Sequence, residues 1–397
     1  MLPHFVVHAN DGESSSNLWE LEDMHPTLME ISRLENVKSA EEARRIKLAE
    51  KQSIKKLKLA WTRDAKRFVD NDGEVLTELK PPNTLEELML EGYNNVSFPS
   101  WMMSIATYLR RLKEVYMEDL PNCNVLPPLG QLPNLVMLNI RRMDSIRKID
   151  GDFYGGSRPF PKLHYFTLSH IENLEEWNAA SFSGEDSFNK LAFPELLVTI
   201  IDGCPLLRFN ICAPLGKGTL YIESSDHVLL SSWENRGHLS ASTKGLFVRR
   251  CDAPLHQWSL LRHLPCLRHL EITDCSDLTC GSTDLLQCIS SLETLIVEGY
   301  NRKNTTVALP EGLGDLTSLK ELKVLNCNSI KTLPEGIQQL TCLQKLEING
   351  CPGLVQWCKT LENKMKLAHI KEIVRALTTY THYKVLYFAL VTHFCYL

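Results

Sequence analysis

Aliphatic residues recur along this chain in one fixed frame, L-x-x-L-x-L-x-x-C/N, at intervals of about two dozen residues. The frame is cleanest towards the C-terminus, where Leu267-x-x-Leu270-x-Ile272-x-x-Cys275 is followed by Leu292-x-x-Leu295-x-Val297-x-x-Tyr300. Leu319-x-x-Leu322-x-Val324-x-x-Cys327 and Leu343-x-x-Leu346-x-Ile348-x-x-Cys351 come next, so that successive copies start 25, 27 and 24 residues apart. Earlier copies start at Ile54, Leu85, Leu112, Leu135 and Leu163, and Leu196 opens a degraded one with Thr199 at an aliphatic position. Between Cys212 and Cys251 only fragments remain, such as Leu246-x-Val248-x-x-Cys251. A period of this length dictates one small unit built many times rather than several unrelated domains.

Within x-L-x-L-x the alternation has period two, so the aliphatics face inward on a short strand and the intervening residues face outward. One such strand has nothing to bury its apolar face against, and stacking on the next copy supplies the core. The expected fold is therefore α/β, a leucine-rich repeat solenoid with a curved parallel β-sheet on its concave face and loops and short helices on its convex face. Prolines in the second half of the repeats, as in Leu126-Pro127-Pro128-Leu129 and Leu333-Pro334-Glu335-Gly336, suit turns and one-turn helices. Val37 to Lys51 is the exception, reading as an amphipathic helix through Ala40, Ala43, Ile46 and Leu48. The expected organisation is a lead-in over 1–27, repeats over 28–360 with irregularity at about 205–255, and a poorly ordered or loosely docked tail over 361–397.

The composition narrows the function. A net charge of −5 and a pI near 6.2 argue against a nucleic-acid binder. Thirteen cysteines, an odd number, follow a start that lacks a basic and apolar leader, so free thiols in a reducing compartment, cytoplasm or nucleus, are expected. Cys204, Cys251, Cys275, Cys327 and Cys351 occupy the ninth position of the frame, where the chain turns off the strand, and read as buried structural thiols. No phosphate loop, nucleophile elbow or zinc-protease signature occurs, so no enzyme activity, cofactor or metal is expected. His263, Cys266, His269 and Cys275 have metal-like spacing, but His269 falls outward and Cys275 inward. Val385 to Leu397 is apolar over 13 residues, short of the roughly 20 that a membrane helix needs.

Eleven Lys and Arg lie between Lys38 and Arg67, and Lys55, Lys56 and Lys58 stud one strand, a candidate docking patch for an acidic surface. Acidic residues follow one repeat later at Glu86, Glu87 and Glu91. An extended sheet face can vary without disturbing the core, so protein binding is expected there. The candidates are the outward strand residues Lys56, Lys58, Glu87, Met89, Glu114, Tyr116, Arg141, Tyr165, Thr167, His269, Glu271, Thr294, Glu321, Lys323, Lys345 and Glu347. Trp61 and Trp101 are aromatic enough to serve as anchors, with Trp101 better suited to packing behind Phe98-Pro99.

Four phrases carry a resemblance. They are Leu34-Glu35-Asn36-Val37-Lys38-Ser39-Ala40-Glu41-Glu42-Ala43, Phe98-Pro99-Ser100-Trp101-Met102, Leu129-Gly130-Gln131-Leu132-Pro133 and Leu346-Glu347-Ile348-Asn349-Gly350-Cys351-Pro352. Together they resemble the leucine-rich repeat region of plant intracellular nucleotide-binding leucine-rich repeat disease-resistance proteins of the coiled-coil subclass. The resemblance implies a defence role: sensing a pathogen effector or a guarded host protein, or restraining a nucleotide-binding receptor domain. The family's nucleotide-binding domain has no counterpart in these residues, so ATP binding is not expected. An adaptor or scaffold for protein turnover or signalling, or a non-functional receptor fragment, is the alternative.

Overall fold

The structure, a computed structural model, describes residues 4–8, 15–63, 69–156, 159–177, 193–209, 216–231, 242–275, 278, 284–299 and 308–376. It divides into two compact units, Met1–Ala253 with Gln257–Leu267, and Pro254–His256 with Arg268–Leu397. Tyr300 and the apolar run from Val385 lie outside the described residues.

The first unit carries thirteen described strands. In chain order these are β1 (His4–Val6), β2 (Leu28–Ser32), β3 (Lys56–Ala60), β4 (Glu87–Glu91), β5 (Glu114–Glu118), β6 (Met137–Arg141) and β7 (Lys148–Ile149). They continue with β8 (Tyr165–Ser169), β9 (Glu176–Trp177), β10 (Val198–Asp202), β11 (Arg208–Phe209), β12 (Thr219–Glu223) and β13 (Gly245–Arg249). Ten of them form a parallel sheet in the order β1-β2-β3-β4-β5-β6-β8-β10-β12-β13, and the short β7, β9 and β11 form a second one. The second unit holds β14 (His269–Thr273), β15 (Thr294–Glu298), β16 (Glu321–Leu325), β17 (Lys345–Asn349) and β18 (Glu372–Ala376), also parallel and paired in order.

The register follows from the frame. Leu57 lies opposite Leu88, then Val115, Leu138, Phe166, Thr199, Leu220 and Leu246, and Leu270 opposite Leu295, Leu322 and Leu346. A slip of one residue would turn every aliphatic outward, so the pattern locks the pairing. Each buried leucine in these rows contributes roughly 1.5–3 kcal/mol through burial.

The repeats extend further than the sequence reading places them. The lead-in supplies β1, with Phe5 opposite Ile31, and the stretch after 360 supplies a helix at Leu361–Lys366 and then β18, with Ile373 opposite Leu346. Arg375 stands where an inward aliphatic belongs, which hid this last strand. Among the described residues of 205–255, β12 pairs in register with β10 and β13 with β12.

The outer segments are mostly turns and short helices, as expected. Within 37–51 the helix α1 spans only Ala40–Arg45, because Lys47 adopts a left-handed conformation (φ 47°) and a 3-10 turn at Leu48–Glu50 follows. The longest helix among the described residues, α2 (Val69–Glu78), was not legible in the repeat frame; Arg44 of α1 ties the two together through Glu78 at 2.8 Å. Where β9 ends, Trp177 enters an aromatic cluster with Phe153, Tyr154, Phe160, Phe166 and Phe193. Its indole N–H donates to the Tyr154 hydroxyl at 2.5 Å.

Two devices recur after the strands. The residue next to the strand end adopts a left-handed conformation in repeat after repeat, at Arg33, Gly92, Asp119, Arg142, His170, Gly203, Ser224, Arg250, Asp274, Asn326 and Gly350. Gly, Asn and Asp enter that region at low cost, whereas Arg142 and Arg250 do so while their guanidinium groups bind carboxylates of the preceding repeat, Asp119 (2.5 Å) with Glu118, and Glu223.

The residue after that is the ninth position of the frame. Its thiols are buried, and each S–H donates to the carbonyl two residues back, at 3.6 Å for Cys204, 3.5 Å for Cys251 and Cys275, 3.2 Å for Cys327 and 3.4 Å for Cys351. Ser225 does the same with its hydroxyl, donating to the Glu223 carbonyl at 2.8 Å and accepting the Cys204 N–H at 3.0 Å. Cys351 likewise accepts the Cys327 N–H at 3.2 Å. These side chains satisfy buried backbone donors that the turn leaves without ladder partners. Burial pushes the Cys204 thiol up to about 12.

Candidate functional site

All sixteen candidate residues lie on strands, at positions that alternate with buried ones and are partly exposed. Parallel pairing arranges them in rows across the sheet. In the first unit one row runs Lys56, Glu87, Glu114, Met137, Tyr165, Val198 and Thr219. The next runs Glu30, Lys58, Met89, Tyr116, Asn139, Thr167, Ile200, Tyr221 and Phe247.

Most of the charged candidates, Glu114 excepted, lie in ion pairs with charged residues of their own or neighbouring strands. Lys56 binds Glu87 at 2.6 Å, which raises its pKa despite partial burial. Lys58 sits between Glu91 (2.9 Å) and Glu30 (3.3 Å); burial pulls its ammonium down, and the two carboxylates more than reverse the shift. Arg141 lies 3.7 Å from Glu118. In the second unit Lys323 contacts Glu321 (3.3 Å) and Glu347 (3.9 Å), Lys345 contacts Glu321 (3.6 Å) and Glu372 (3.8 Å), and His269 lies 3.8 Å from Glu271. Thr294 is the partly exposed member of a strand whose remaining residues are buried.

Lys55, Lys56 and Lys58 therefore do not form a free basic patch. The flanking strands β2 and β4 bring one or two carboxylates to each strand-face lysine, and Lys55 reaches the Thr84 carbonyl at 3.4 Å. Elsewhere in the basic stretch, Lys51 is fully buried and donates to the carbonyls of Glu22 (2.6 Å) and Met24 (2.8 Å), while burial lowers its pKa. Trp61 and Trp101 are buried, not surface anchors; the Trp101 indole donates to the Leu76 carbonyl at 3.0 Å and the Trp61 ring packs edge-on to Tyr93.

The uncharged candidates of the first unit fall together. Met89, Tyr116, Tyr165 and Thr167 occupy neighbouring strands with Met137, Ile200, Tyr221 and Phe247, which the sequence reading did not select. Tyr221 and Phe247 stack with centroids 4.5 Å apart. The Tyr116 hydroxyl donates to Glu114 at 2.9 Å and lies 3.1 Å from the Met137 sulfur. Tyr221 and Phe247 escaped selection because their repeats lack most of the frame, although Thr219-Leu220-Tyr221-Ile222 keeps the period-two alternation.

Among the described residues no group of three or more His, Cys, Asp or Glu could hold a metal ion, and no helix is long and apolar enough to cross a membrane. The ten described cysteines are free, and of these Cys266 and Cys342 are exposed.

Comparison with known proteins places these repeats. Residues 16–143 match the family model of the R13L1/DRL21 leucine-rich repeats. A protein of Arabidopsis thaliana named as a disease resistance protein is 31% identical over 220 residues, 52% of this chain and 15% of that protein. The Solanum bulbocastanum disease resistance protein RGA2 is 28% identical over 215 residues, 53% of this chain and 21% of that protein. RGA1 of the same plant is 30% identical over 265 residues, 66% of this chain and 25% of that protein. The chain thus spans a quarter or less of the length of these three relatives. Among solved structures, a leucine-rich repeat protein of Leptospira interrogans superposes with a TM-score of 0.32 at 17% identity, covering 91% of this chain and 94% of that one. The chain thus folds as a leucine-rich repeat array in which residues 16–143 match the R13L1/DRL21 repeats, and its repeat region is similar to that of plant disease resistance proteins.

Proposed function

We propose that the chain is a non-enzymatic protein-recognition module of plant defence that binds its partner along the outward strand faces. The partner is a pathogen effector, a guarded host protein or the nucleotide-binding domain of a receptor. The single observation that carries this reading is the similarity of the repeat region to disease resistance proteins. The face itself supports it: parallel strands hold outward side chains in fixed rows, and aromatic and methionine side chains gather over β4 to β13, the residue types enriched at protein interfaces.

The test is affinity capture from infected and uninfected plant tissue with the full chain, beside a variant carrying Met89→Ser, Tyr116→Ser and Tyr165→Ser. Recovery of an effector or a defence component by the first and not by the second is the expected result. Equal recovery by both, or recovery of neither class of protein, refutes the assignment.

A further inference from the structure

Charge bookkeeping across β3, β4 and β5 leaves one carboxylate over. Lys56 is the cation nearest the first outward row, and its ammonium is bonded to Glu87 at 2.6 Å. Glu114, next in that row, feels Lys56 at longer range but, among the described residues, has no cation within ion-pair distance. Its contact is the Tyr116 hydroxyl at 2.9 Å, which fixes the carboxylate in position without neutralising it. On the flanking strands β4 and β6 stand Met89 and Met137, and one strand further, on β8, Tyr165, all uncharged and partly exposed. Glu114 is partly exposed in the free chain, but a partner that covers it without a counter-charge would desolvate it at a cost, and a partner's cation removes that cost. An incoming carboxylate meets the opposite situation, since Lys56, Lys58 and Arg141 already contact Glu87, Glu91, Glu30 and Glu118.

We infer that the face over β4 to β8 takes a polypeptide partner that presents a lysine or arginine between apolar side chains. The basic group seats on Glu114 beside the Tyr116 ring, and the apolar neighbours cover Met89, Met137 and Tyr165. Tyr116 contributes twice, as hydroxyl donor to the carboxylate and as an aromatic face for the cation. This inference rests on the recognition reading above and narrows the partner's chemistry.

The experiment uses the full chain against an immobilised array of twelve-residue peptides with a fixed apolar frame and Lys, Arg, Gln or Glu at the centre. The Lys and Arg peptides are expected to bind about tenfold more tightly than the Glu peptides, a preference that shrinks as salt rises from 50 to 300 mM. Glu114→Lys reverses the preference, and Tyr116→Phe weakens it without reversing it. Circular dichroism melts of both variants confirm that the partly exposed positions leave the fold intact. Equal binding of all four peptide classes, or an unchanged preference in Glu114→Lys, overturns the inference while leaving the sheet face as a binding surface. Absence of binding by any peptide overturns it for an extended partner, and tissue capture then decides the broader reading independently. Concentration-dependent dimerisation abolished by Glu114→Lys assigns the face to a second copy instead, which also overturns it.

Discussion

Ser225 offers a sharp test of how the repeats are held together. It stands at the ninth position of its repeat, where neighbouring copies use cysteine, and it is completely buried. Its hydroxyl accepts the Cys204 N–H at 3.0 Å and donates to the Glu223 carbonyl at 2.8 Å. Ser225→Ala strands that amide donor in the core, whereas the Glu223 carbonyl keeps the Gly203 N–H at 3.0 Å. One orphaned buried donor costs roughly 1–3 kcal/mol, and the volume lost with one oxygen adds little. The expected destabilisation is therefore about 2 kcal/mol. Ser225→Cys restores a group of the kind that Cys351 presents to the Cys327 N–H at 3.2 Å, and is expected to recover more than half of the loss. Urea unfolding followed by circular dichroism reads both, with equal m-values showing that the denatured state is unchanged. The account fails if Ser225→Ala lies within 0.5 kcal/mol of wild type (about the scatter of a neutral surface substitution), or if the cysteine variant is no better than alanine.

Three further outcomes follow from the packing. Burial pushes the Cys123 and Cys204 thiols up to about 12 from an ordinary value near 9, so the fold favours their neutral form. That contribution is complete below pH 9 and lost as pH climbs towards 12; at pH 10.5 it amounts to about 2 kcal/mol per thiol, and Cys204→Ser should lose correspondingly less stability between pH 8 and 10.5 in urea titrations. Tyr154→Phe removes the partner of the Trp177 indole N–H inside the aromatic cluster, and urea unfolding is expected to show a loss of about 1–3 kcal/mol; an unchanged unfolding free energy refutes the role of that hydrogen bond. Gly92 has φ 70° and an added Cβ would meet the Trp61 carbonyl, whereas Gly151 has open space around it. Gly92→Ala is expected to lower the melting temperature by several degrees, and Gly151→Ala to leave it unchanged or raise it slightly.

The strands were legible because inward aliphatics at fixed spacing are a demand of stacking that no local detail overrides, down to Thr199, which keeps its inward place opposite Phe166 and Leu220. Strand β18 was not, because Arg375 stands opposite Ile348 at a position where the frame calls for an aliphatic. Helix α2 begins Val69-Asp70-Asn71-Asp72-Gly73, residues of low helical propensity whose placement against α1 comes from tertiary contacts such as Arg44 with Glu78. The outward parity of the sixteen candidates could be read from the frame, but the partners of their charges could not. Which carboxylate meets Lys58 depends on pairing with β2 and β4, two segments separated from it by 28 and 33 positions at Glu30 and Glu91.

That sharing has a genetic corollary. A mutation that inverts Lys58 strands its counterparts on two other strands, and one that inverts Lys56 strands Glu87, so drift on this surface should proceed by compensated pairs rather than single steps. Recombination that imports a lone coil from a paralogue severs ion pairs at both of its seams. The smallest block that can be exchanged with its electrostatics intact is consequently a run of adjacent coils; even a cut where the sheet-face row is uncharged, between Asn139 and Thr167, must keep Arg147 with Glu175 (2.9 Å) and Lys148 with Glu176 (3.4 Å) on the same side.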